Sequence, residues 1–190
     1  MRFLVGLILC VFLVTSARAE MEMYDFDVKG AHTSVQFRIK HLGYSWLFGR
    51  FNKLEGWMGG DQNDIATAKV EAIIDVASID TNHAERDKHL RGADFLNVKK
   101  FPKATFVSTR VVKNGDKTGI IYGDLTLHGV TKEIQINTTY VGHGPDPWGG
   151  NRAGFEGTTT LKLSDFDMTY DLGPASTYVE MMLFVEGIRR

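Results

Sequence analysis

HTSVQFRIKHLGYSWLFGRFNKLEG, residues 32–56, is the stretch that decides the fold. Its first half alternates, with Val35, Phe37, Ile39 and His41 on one side and Gln36, Arg38 and Lys40 on the other. Successive side chains of a strand point to opposite faces, so this segment is a strand with one apolar and one charged face. Leu42 to Phe48 is then an apolar and aromatic run without a regular period, bracketed by Gly43 and Gly49. Glycine reaches positive φ without steric cost, so the chain can bend sharply at both. A strand that ends in an aromatic elbow suits the rim of a barrel, with Trp46 and His41 at the entrance. The plainer alternative is that Trp46 and Phe48 plug one end of a core.

Outward from this stretch the same period recurs. Val70, Ala72, Ile74 and Val76 oppose Lys69, Glu71, Ile73 and Asp75, while Ile121, Gly123, Leu125 and Leu127 oppose Ile120, Tyr122, Asp124 and Thr126. Ile134, Ile136, Thr138 and Tyr140 follow, then Phe155, Thr159, Leu161 and Leu163, then Val179, Met181, Leu183 and Val185. Many short alternating strands with turn signals between them predict an all-β chain, a single antiparallel barrel of about eight strands. Asn114-Gly115 predicts a type I′ hairpin turn, and His128-Gly129 a second tight turn. One helix is expected at about 83–91, with Asn82 as N-cap, Glu85 completing a capping box and Gly92 ending it in left-handed geometry. The loop from Gly142 to Gly154, carrying Trp148, is a second candidate for the barrel mouth.

The ends and composition bound the setting. Met1-Arg2, the apolar run Phe3 to Val14 and Ala17-Arg18-Ala19 read as a secretory signal peptide, 1–19, cleaved to leave a domain at 20–190. Twelve apolar residues are too few to span a bilayer as a helix. The single cysteine, Cys10, leaves with the signal, so the mature chain forms no disulfide and no thiolate metal site. Removing Arg2 and Arg18 leaves 20 basic against 23 acidic residues, a net charge of −3 that does not suit general nucleic-acid binding. A membrane-spanning barrel would turn its apolar residues outward, and the capped helix and missing aromatic girdles argue for a soluble one.

Chemistry is sparse. Six histidines are present, but no HExxH or His-x-His occurs, and His83 and His89 fall on different helix faces. No metal is expected, with a discontinuous site from His32, His41 or His143 left as the alternative. GxSxG, GxGxxG and the phosphate-binding GxxxxGK[ST] are absent, so no catalytic residues are assigned and the chain reads as a non-enzyme. Arg86, Asp87, His89 and Arg91 crowd the helix; they are either a headgroup or anion site, or bonds that pin a short helix to the barrel.

Four segments carry a resemblance. Residues 32–51, Asp80 to Asn97, GDLTLHGVTK at 123–132 and DPWGGNRAGFE at 146–156 closely resemble the YceI family of bacterial periplasmic proteins, over nearly the whole mature chain. That resemblance implies a lipocalin-like barrel in the periplasm whose interior holds a polyisoprenoid, an isoprenoid quinone or a similar lipid, for carriage, storage or stress protection. No cofactor is required, and the oligomeric state, a dimer among the options, stays open. Read from residues alone, small Ala72, Gly123, Thr138 and Thr159 among large ones fit a channel or a plain tapered core equally. The resemblance tips the balance to a ligand. It would lie along Phe37, Ile39, Ile74, Phe106, Leu125, Ile136, Leu161 and Leu183, with Trp46, Trp148 and His41 at the mouth and Arg86 and Arg91 at a headgroup. A lipid-acting enzyme and a filled structural barrel are the alternatives.

Overall fold

The computed structural model describes residues 21–61 and 64–190; the expected signal segment lies outside them. In chain order come β1 (Glu22–Phe26), β2 (Ser34–His41), β3 (Ser45–Phe51), β4 (Leu54–Asp61), β5 (Asp64–Asp75), β6 (Ile79–Asp80), α1 (Ala84–Leu90), β7 (Lys103–Lys113), β8 (Thr118–Leu127), β9 (Val130–Pro145), β10 (Asn151–Lys162) and β11 (Tyr178–Arg189). Strands β1, β4, β5 and β7 to β11 close into an eight-stranded antiparallel ring, because β1 pairs with both β4 and β11. The expected barrel with one short helix is what the chain forms.

The remaining strands lengthen the same wall. Along one edge of β11, β1 covers Gly187 to Arg189 and β2 covers Val179 to Phe184. β3 runs on into β4 through Asn52 and Lys53, and β6 continues β5 after a 3-10 turn at Val76–Ser78. Each wall segment thus bends once, and α1 follows β6 there with Leu90 packed against the buried residues of that end. A buried cluster of Val76, Ile79, Leu96, Phe166 and Met168, joined by Phe37, Ala104 and Leu161, packs under that end. A smaller one, Tyr24, Met58 and Ala153, lies toward the other.

Three local expectations change. His83, not Asn82, caps α1: its Nδ1 accepts from the Arg86 N–H at 3.2 Å, while Asn82 turns through φ 59° with its N–H on Asp80. The imidazole nitrogen takes the first-turn N–H that a side-chain oxygen accepts at the preferred N-cap residues. Gly92 does not adopt left-handed geometry; the C-cap Arg91 is right-handed and the chain reverses at Asn97, φ 43°. Asn114-Gly115 forms no type I′ turn either. Strands β7 and β8 end at Lys113 and Thr118, so four residues connect them and neither Asn114 nor Gly115 needs positive φ. His128 and Gly129, at 52° and 79°, do form the tight turn read from the sequence.

Candidate binding site

Strand register places all eight expected channel residues on the inward face. Phe37 stands opposite Met181 and Gly49, Ile39 opposite Val179 and Leu47, and Ile74 opposite Leu54 and Ala104. Phe106 faces Leu125 and Ala72, Ile136 faces Ile121, Leu161 faces Val179, and Leu183 faces Val35 and Gly157. Their burial divides them. Phe37, Phe106, Ile136 and Leu161 are buried, whereas Ile39, Ile74, Leu125 and Leu183 point inward yet remain half-buried. Ile74 and Leu125 pack against the buried cluster of Val76, Ile79 and Phe166, and all four keep some residual exposure.

The large rings lie flat because glycines on neighbouring strands receive them. A Cβ at Gly49 would collide with the Phe37 ring, one at Gly123 with Phe106, and one at Gly56 with Phe26. Glycine in a strand commonly marks such a close approach, and an aromatic laid over it recovers contact. Gly123 therefore seats Phe106 against the wall instead of opening a gap of its own, which keeps the ring out of the axis.

The expected mouth is not one constellation. Trp46 pairs with Lys40 across the β2–β3 hairpin, so it stands on the outer face. The Arg38 guanidinium carbon lies 4.3 Å and the Lys40 ammonium 4.1 Å from its ring centroid. His41 is exposed at the same end. Trp148, 77% exposed, belongs to the opposite end, on the loop between β9 and β10. The two tryptophans share a polar-edged ring in the sequence, but strand direction puts them at opposite ends. A polar pair it did not single out, the Tyr140 hydroxyl bonded to His143 Nδ1, sits near the Trp148 end, with Tyr140 inward beside Phe155 at 5.4 Å between centroids.

The helix arginines are engaged by backbone. Arg86 donates from Nε to Thr81 Oγ1 at 2.8 Å and from Nη2 to the Thr81 carbonyl at 2.7 Å. Arg91 donates to the Ala77 carbonyl at 2.7 Å and the Ile79 carbonyl at 2.6 Å. Buried Asp87 accepts from the Thr81 N–H at 2.9 Å and its hydroxyl at 2.5 Å. Of the two readings of this cluster, the geometry matches the pin. Asp87→Ala should leave both Thr81 donors unpaired, destabilising the fold by about 1–3 kcal/mol, with a chemical-denaturation midpoint as the readout.

A second polar network was not anticipated as a unit. Arg152 donates from Nη1 to Asp27 Oδ2 at 2.6 Å and Glu186 Oε1 at 2.5 Å, and from Nε to Asp146 Oδ2 at 3.0 Å. His32 Nδ1 adds a contact of 2.8 Å to Asp27. The Arg152 guanidinium, then His32 and the Gly30 N–H, hold the Asp27 carboxyl far below the usual carboxylate range. Asp146 is also lowered, first by the Gly150 N–H and then by the Trp148 N–H and Arg152. Asp27, His32 and Glu186 bring metal-type atoms within 4.8 Å of one another, but Arg152 already bonds both carboxylates. The arrangement is an ion-pair clasp that fastens the residue 27–33 excursion to β10 and β11.

A closed antiparallel barrel with an apolar lining and a helix across one end defines a lipocalin-like protein. The chain belongs to the YceI family: residues 24–186 match the YceI-like domain. It is 56% identical over 178 residues to a UPF0312 protein of Pseudomonas aeruginosa, covering 94% of this chain and 93% of that one. A UPF0312 protein of Yersinia pestis is 53% identical, covering 98% and 96%. Among solved structures it resembles the Campylobacter jejuni YCEI protein, at TM-score 0.72 and 28% identity over 80% of this chain and 90% of that one. A polyisoprenoid binding domain from Saccharophagus degradans shares the fold at TM-score 0.64 and 17% identity, covering 88% and 98%.

Proposed function

We propose that the protein is a periplasmic carrier that holds one long apolar chain, a polyisoprenoid, isoprenoid quinone or similar lipid, along the barrel axis. The observation that carries this reading is the half-buried inward face of Ile39, Ile74, Leu125 and Leu183. Burying each CH₂ contributes about 0.8 kcal/mol, so ten carbons supply about 8 kcal/mol, the scale of micromolar binding before ordering costs. No charged contact is needed, which fits a lumen lined by aliphatic and aromatic groups. Family membership and the Saccharophagus neighbour's named ligand support the same class. Export rests on the signal read at residues 1–19.

The lining favours binding over catalysis, since an acyl- or glycosyl-transfer site needs a nucleophile beside a base or opposed carboxylates. Native mass spectrometry of the mature protein before and after organic extraction tests the carrier. The expected result is a mass excess removed by solvent and identified in the extract as an apolar chain. Protein that emerges from a bacterial host at its sequence mass, and takes up no added isoprenoid, would refute it.

A further inference from the structure

The tip of the β2–β3 hairpin is the least explained surface of the barrel. Residues 38–50 contain Arg38, Lys40 and Arg50 and no acidic residue, in a chain whose formal charge is −1. The same hairpin exposes large apolar groups: Tyr44 is 89%, Leu42 60% and Phe48 56% accessible. Trp46 lies between them in sequence, under Arg38 and Lys40. Leu42 takes positive φ, 53°, and Gly43 82°, and the turn lies beside Ala175 and Ser176, whose hydroxyl donates to the Lys40 carbonyl at 2.6 Å. Beyond the Ile39–Val179 pair, β2 has no further partner on β11.

One wall of a cleft of about 690 Å³ is this hairpin. Its other wall is Asp80 to Asn82 and Arg86. β3 pairs with β6 only at Arg50 and Phe51, so among the described residues Ser45 to Gly49 have no strand on that side. Both faces of β3 reach the cleft: Trp46 and Phe48 from outside, Leu47 and Gly49 from the lumen side. The Phe37 ring rests on Gly49 behind this cleft, so that one aromatic side chain stands between it and the inward face.

We propose that this hairpin docks on a lipid bilayer carrying acidic headgroups, placing the β3–α1 cleft against the membrane as a side entry for the apolar chain. The inference rests on the carrier reading for its purpose, though not for its test. Aromatic rings with a polar edge settle at the membrane interface, and cations beside them meet the negative surface. Two acids lie near and are both engaged. Glu180 pairs with Arg38 at 2.6 Å, and Asp80 accepts from Asn52 and from the Asn82 N–H. Arg50 stands opposite Asp80 across the β3–β6 pairing and is shared with it, so Lys40 is the cation left to face lipid phosphate and sets the preference for anionic over zwitterionic bilayers.

Flotation of the mature protein with vesicles of phosphatidylglycerol and phosphatidylcholine, against phosphatidylcholine alone, provides the test. Binding should favour the acidic vesicles and fall as salt shortens the screening length from about 10 Å at 0.1 M to about 3 Å at 1 M. Tyr44→Ser, at a side chain almost wholly in solvent, should reduce partitioning several-fold; Leu42→Ser with Phe48→Ser should reduce it about tenfold or more. Lys40→Glu should remove the preference for acidic lipid. Native mass spectrometry of the same variants should show the wild-type lipid load when expressed in the same host. Vesicle binding by a chain that carries no lipid would sink the carrier and leave the docking surface standing. Equal flotation of wild type and Tyr44→Ser, or no flotation of the wild type at low salt, overturns the proposal. So does a dimer by size exclusion that the variants dissolve without changing flotation, because the patch would then be an interface between copies.

Discussion

Leu125→Glu is expected to yield a folded barrel that retains no apolar chain. Leu125 faces Phe106 across the β7–β8 pairing, points to the axis and is only half-buried. A carboxylate there can keep some water in the unloaded barrel. It loses that water when a chain is laid beside it, at a cost of several kcal/mol. Two kcal/mol already lowers affinity about thirtyfold, so co-purifying lipid should fall below detection. Ile136 is a poorer position for the same experiment, because it is buried and a charge there would threaten the fold. Leu183→Trp gives an uncharged counterpart: opposite Gly157, its indole would occupy the axis and reduce the load by volume. Arg38→Ala, on the outer face, should leave the load as in wild type. Circular dichroism establishes folding, and extraction with mass spectrometry reads the load. Full loading of well-folded Leu125→Glu and Leu183→Trp would remove the lumen from consideration.

The lining was legible because a strand's period of two converts order along the chain into sides of a wall. Strand register puts the expected residues on one side of the wall, Phe106 among them although its strand is not one of the alternating segments. What alternation does not supply is the parity across a turn. Lys40 pairs with Trp46 because the turn at Leu42 to Tyr44 sets His41 against Ser45, and that places Trp46 with the charged face. A positive φ at Leu42, a residue that seldom adopts it, was the missing piece. The Arg152 clasp was hidden for another reason. Asp27, Asp146, Arg152 and Glu186 are scattered from one end of the mature chain to the other, and only barrel closure brings them together. DPWGGNRAGFE stood out as a segment, yet nothing local says that its first and seventh residues bond each other.

Arg152→Met should be the most destabilising single change outside the apolar core. Asp27 is 5% and Asp146 6% exposed, and Arg152 supplies the positive charge between them. Removing one partner of a buried network leaves charge without compensation, which is far costlier than replacing the whole set. For a chain of this size that corresponds to a melting temperature lowered by about 5–15 °C at neutral pH. The pH dependence separates this cause from lost packing. In the wild type the Asp27 and Asp146 carboxyls are held below their ordinary values. Their ionised forms thus stabilise the fold above the unfolded value of about 4, and that contribution is lost as pH falls below it. Without Arg152 the main cause lowering Asp27 is gone and only His32 and the Gly30 N–H still act against burial, so the variant has less carboxylate stabilisation to lose on acidification. The gap in melting temperature between wild type and Arg152→Met should accordingly narrow from pH 7 to pH 3. Asp27→Asn added to Arg152→Met should restore part of the loss at pH 7, since a neutral amide needs no counter-charge. A gap that stays constant with pH, together with no restoration by Asp27→Asn, would show that Arg152 acts through packing over Trp148, 5.3 Å away, and not as the centre of a clasp.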